Sequence, residues 1–79
     1  MKITYAWSEP TGDVERPVRG FVIDTGGTTA DLPTQLVKKP VVDIMAASGV
    51  VDMLAGTGSI ALDRDTGASY RLESDGAWH

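Results

Sequence analysis

No cysteine occurs in the 79 residues, and histidine occurs once, at His79. Disulfide staples are therefore excluded, and with them the thiolate zinc sites that hold many small domains together. One histidine cannot build a multi-histidine site, so no metal and no cofactor is expected. The lack of cysteine does not separate a reducing cytoplasm from a virion surface. No apolar run approaches the roughly 20 residues of a membrane-spanning helix. The first seven residues carry one charge and then alternate, which reads as a strand and not as a secretory leader. Basic residues are few, seven against eleven acidic for a net charge of −4, and they are scattered apart from the Lys38–Lys39 pair. They offer no patch to a phosphate backbone, so neither nucleic acid nor a membrane is an expected partner.

What remains is enough for a single domain over 1–79. A chain of this length buries only about 60–65% of the surface its unfolded form exposes. With disulfides and structural metal both excluded, a compact core or association with other chains has to stabilise it. The composition favours a protein partner.

Along the chain, residues 2–7 alternate so that Ile3, Tyr5 and Trp7 share one face, the pattern of a half-buried strand. Ser8–Gly12 supplies turn residues, and residues 18–23 read as a second, antiparallel strand. Gly20 in its middle points to a bulge or a close backbone approach. Residues 24–34 form a polar loop, the segment expected to be most mobile and to hold binding groups. Leu36-Val37 suggests a short edge strand. Pro40 then opens a predicted helix over about 40–48, with Asp43 in its first turn, Val41, Ile44, Met45 and Ser48 on one face, and Gly49 as its stop. Residues 50–58, VVDMLAGTG, repeat residues 41–49, VVDIMAASG, and the 50–56 stretch is read as a second short helix, although Val50-Val51 also suits a strand. Residues 59–63 and 69–73 form a hairpin about the 64–68 turn, and 77–79 begins a last strand. Ile60, Leu62, Tyr70, Leu72 and Trp78 are its expected apolar set. The fold class read from this pattern is α+β: an N-terminal β-hairpin, one central helical segment and a C-terminal β-meander.

The segment Phe21-Val-Ile-Asp24-Thr25-Gly26 resembles the active-site segment of retroviral-type aspartic proteases, in which two carboxylates share a proton and activate water. Asp65-Thr66-Gly67 supplies another such tripeptide, and a homodimer could supply a second copy. Gly27, however, stands where those enzymes carry Ala or Ser, their later apolar-Gly-Arg segment is missing, and Asp-Thr-Gly is also a good turn sequence. Asp63-Arg-Asp65-Thr-Gly67 has glycine fifth, and Ser74 stands at position twelve, so it lacks the spacing of an EF-hand calcium loop. Gly26-Gly27 and Gly56-Thr-Gly58 lack the lysine and helix of a phosphate loop. A terminal histidine is expected to be frayed. No enzyme is expected.

The segment Gly58-Ser-Ile-Ala-Leu-Asp-Arg-Asp-Thr-Gly-Ala-Ser-Tyr-Arg-Leu-Glu-Ser-Asp-Gly-Ala-Trp78 is similar to one carried by small structural proteins of tailed bacteriophages. These are head-decorating, fibre-base or tail-associated components that act as oligomers or on a repeating lattice. The resemblance covers about a quarter of the chain and implies a fold element and a setting, with no catalytic residue carried over. It implies a non-catalytic virion protein that self-associates and binds a major capsid or tail protein, located in the virion and in host cytoplasm during assembly. The contacts are expected at Trp7, at Trp78, and at Asp24, Thr25 and Asp31 of the 24–34 loop, where Trp78→Ala would weaken association and leave the fold intact. The alternative is a small acidic cytoplasmic module, a phage-encoded inhibitor or adaptor of a host protein; a dimeric aspartic protease is the third reading.

Overall fold

Paired β-branched residues decide the architecture. The computed structural model describes residues 2–79. It contains six strands: β1 (Ile3–Gly12), β2 (Pro17–Ile23), β3 (Lys39–Val42), β4 (Val50–Met53), β5 (Ile60–Asp63) and β6 (Ser69–Arg71). They form one mixed sheet in the order β4-β3-β1-β2-β5-β6. β1 and β2 are an antiparallel hairpin at the centre. Each is flanked by a parallel neighbour, β3 beside β1 and β5 beside β2, and each neighbour leads into an antiparallel outer strand.

The α+β class and the central helix are corrected by this arrangement. Among the described residues the only helical element is one 3₁₀ turn, Thr29–Asp31, so the class is all-β. The predicted 40–48 helix is instead β3 and the turn that follows it. The repeated Val-Val pairs face each other across the ladder, Val41 with Val51 and Val42 with Val50, so the 50–56 stretch opens with β4 and not with a helix. β-branched side chains lose rotamer freedom in a helix and pack well on a pleated surface. The helix signals were real but local, and a hairpin uses them equally well. Asp43 accepts hydrogen bonds from the N–H groups of Met45 on its side chain and Ala46 on its carbonyl, both at 3.0 Å. Gly49 does adopt positive φ, 75°, but it closes the hairpin, its carbonyl accepting from Asp43 N at 3.0 Å. Ile44 and Met45, expected on one helical face with Val41 and Ser48, are 84% and 88% exposed at the turn.

Smaller corrections follow. Ser8–Gly12 is not a turn but the outer part of β1, and the chain reverses at 13–16. Leu36-Val37 is no strand; both N–H groups donate to the Thr34 hydroxyl in a tight turn. The predicted last strand is present in reduced form, as a bridge between Leu72 and Trp78 with paired bonds between Arg71 and His79. His79 is therefore held, not frayed, and its Nε2 lies 2.8 Å from Asp75 Oδ2.

One face of the sheet carries the core: Ile3, Phe21, Ile23, Val41, Met53, Ala61 and Leu72. Two irregular connections, 24–38 and 54–59, cross that face and cover it. Leu32 and Pro33 of the first and Ala55 of the second are fully buried, and Ala55 N–H donates to Thr34 O where the two meet. The 24–34 segment, expected to be mobile, is thus pinned at its far end. Buried Ser59 is fully occupied, donating to Gly56 O at 2.6 Å and accepting from Arg19 N at 3.0 Å.

Candidate functional site

Successive strand residues point to opposite faces, so the side chains that alternate with the core line the other side of the sheet. In β2 and β5 these are Gly20, Val22, Ile60 and Leu62; in β3 and β4 they are Pro40, Val42, Val50 and Asp52; β6 adds Ser69 and Arg71, so the apolar row is flanked by charge. Among the described residues no layer covers them there: Val50 and Leu62 are 40% and 44% exposed. Trp7 joins them through a bulge. Tyr5 pairs with Phe21 but Trp7 pairs with Gly20, so one extra β1 residue reverses the alternation. Tyr5 stays on the core face, its ring 6.2 Å from that of Phe21. Trp7 lands on the opposite face, 41% exposed, with its ring lying where a Gly20 side chain would be. Both readings of Gly20, a bulge and a close approach, describe this one contact.

The expected interface residues are thus divided. Trp7 lies on the bare face. Trp78 faces the core, edge to face with Phe21 at 6.2 Å, and donates its indole N–H to Pro33 O at 2.9 Å. Asp24 sits at one end of the bare face, accepting from the Thr4 hydroxyl at 2.6 Å and pairing with Arg64 at 3.3 Å. Thr25 and Asp31 come together with Lys2, Lys39 and Pro40 around an open groove of about 600 Å³ at that same end. Asp31 is engaged locally, its Oδ2 accepting from Thr28 N at 2.9 Å.

The two Asp-Thr-Gly turns lie side by side because β2 and β5 run parallel with Ile23 opposite Asp63. The register is offset by one residue from what a shared-proton pair requires. Asp24 meets Arg64, while Asp65 accepts from the Thr25 hydroxyl at 3.0 Å. Neither carboxylate has the other as a partner within the chain. At the neighbouring turn Asp63 Oδ1 accepts from the N–H groups of Asp65 and Thr66, which makes it a turn device. Among the described residues no three His, Cys, Asp or Glu side chains gather as a metal ion would need.

The carboxyl of Asp75 is held below its ordinary value, first by the Ala77 N–H and then by the hydrogen bond to His79. That clasp ties down the final turn.

Sequence reasoning did not foresee this face: it grouped Ile60 and Leu62 in one apolar set with Tyr70, Leu72 and Trp78, which the alternation puts on the other side, and it gave Val22 and Val42 no face. The signal was present: Phe21-Val22-Ile23, Val41-Val42 and Val50-Val51 are unbroken apolar runs inside strands, and such runs mean that both faces of a sheet are apolar. No family model, curated protein or solved structure matches this chain.

Proposed function

We propose that this protein is a non-catalytic accessory component of a tailed-phage particle, binding or decorating a capsid or tail lattice through the bare face of its sheet. The uncovered apolar face is the observation that carries this reading. Contiguous exposed apolar surface on a small protein marks an interaction site, and an exposed Trp is the residue type most enriched where binding energy concentrates. A chain with no disulfide and a thin core also gains stability when such a face is covered. The phage setting is supported by the likeness of residues 58–78 to segments of such proteins. Those residues build β5, β6 and the Trp78 bridge, which supply Leu62 to the face. A net charge of −4 favours solubility of the free subunit before assembly.

The test is mass spectrometry of tailed-phage particles purified from the strain that carries this gene. The protein is expected at a fixed ratio to the major capsid or tail subunit. Its absence from particles, with capture of one host protein from the infected cytoplasm instead, would replace this reading with that of an acidic inhibitor or adaptor.

A further inference from the structure

We infer that the bare face is closed by a second copy of this chain, in a back-to-back dimer whose two-fold axis runs along the strands between β1 and β2. This rests on the reading of that face as a protein-binding surface and names its first occupant.

Size is the first argument. The molecule measures 31 × 29 × 19 Å, and the sheet with its single covering layer accounts for the short dimension. A specific interface buries about 800 Å² per partner, and the two longer dimensions of the molecule, 31 and 29 Å, leave room for one of that size.

Self-complementarity is the second argument. Ladder pairing puts Thr4 beside Val22, Trp7 beside Gly20, and Lys2 beside Asp24, whose N–H donates to Lys2 O. The bare-face members of these pairs lie in the two central strands or at their ends, on either side of the proposed axis. Rotation by 180° about that axis keeps each row at its own height and exchanges its sides. Lys2 of one copy then lies over Asp24 of the other, beside the Arg64 that already pairs with it, Thr4 lies over Val22 and Val42 over Leu62, while each Trp7 ring stays on Gly20 of its own chain. Apolar Val42 and Leu62 therefore meet across the axis, and Lys2 meets an acidic group at one end. Stacked sheets pack about 30° apart because each is twisted. That rotation displaces the outer strands most and the central rows least, so the central rows fix the fit.

The experiment is light scattering after size exclusion, over a range of concentrations, on the full chain and three variants checked by circular dichroism. The unmodified protein is expected at twice its chain mass of 8.4 kDa. Leu62→Asp places a charge in the apolar face and is expected to raise the dimer dissociation constant by at least about 10-fold. Lys2→Glu, at an exposed position where folding is not at stake, sets like charges against each other and is expected to weaken the dimer, with the loss relieved by salt. Leu36→Asp, exposed but away from the sheet, is expected to leave it unchanged. If Leu62→Asp does not fold, Lys2→Glu decides. A monomer at every concentration, or a dimer indifferent to both face variants, overturns the inference. Neither result depends on whether the protein is found in particles, so the dimer and the phage assignment can fail separately.

Discussion

Trp78 reaches from the final bridge to the centre of the molecule, where it meets Phe21 and donates to Pro33. Trp78→Ala therefore removes part of the core and an inter-segment hydrogen bond, and is expected to cost about 3 kcal/mol in urea denaturation. A loss below about 1 kcal/mol would return Trp78 to the outer surface. Asp75 makes a different kind of contribution. Its lowered pKa means that the folded chain binds this proton less readily than the unfolded one does, so the clasp stabilises above the ordinary value of 3.8 and is lost as pH falls through the lower folded value. Carbon-13 titration should show the Asp75 midpoint below 3.8. An Asp75→Asn variant should flatten the stability profile in that acid window, and a midpoint at or above 3.8 would mean the clasp is absent in solution.

At the scale of elements, the strands that announce themselves by strict alternation were legible. The start of β1, all of β2, and the β5–β6 hairpin fall where the pattern puts them. The β3–β4 hairpin was not legible, because Pro40, Asp43 and Gly49 serve a helix and a hairpin turn equally well and each is worth a kcal/mol or less. Pairing of Val41 with Val51 decided the matter, and that contact lies across the sheet, beyond any local window. The site was half legible. Trp7 could be named from its type, but its face depends on a bulge that only Gly20 hinted at. The 43–49 turn gives a clean test of the corrected element. Ile44→Ser and Met45→Ser should each change stability by less than about 0.5 kcal/mol, since both side chains already stand in solvent. A thermal shift corresponding to more than about 1 kcal/mol for either would mean that they pack as a helical face after all.

For the molecule as a whole, one covered face and one bare face make half of a sandwich. Closing it links folding to association. If the second copy binds only the folded chain, the melting temperature must rise with protein concentration, by an amount set by mass action. Calorimetry from micromolar to near-millimolar chain should show that rise for the unmodified protein and lose it for Leu62→Asp. A concentration-independent transition for the unmodified protein would instead describe a free-standing fold that tolerates its exposed face.

The strand order has a kinetic consequence as well. Only the central seam and the two outer hairpins join neighbours in sequence; the seams that unite them pair Thr4 with Val42 and Gly20 with Ile60. Closing those long loops costs entropy before any contact repays it. Three hairpins should therefore flicker independently until the β1–β2 pair, the only one touching both others, captures its flanks in a late, rate-limiting step on a timescale of roughly milliseconds to seconds. Until that moment β3 and β5 each present an apolar edge with no neighbour. A chain emerging at high local concentration, as during a burst of synthesis, is then most exposed to mispairing with its own copies.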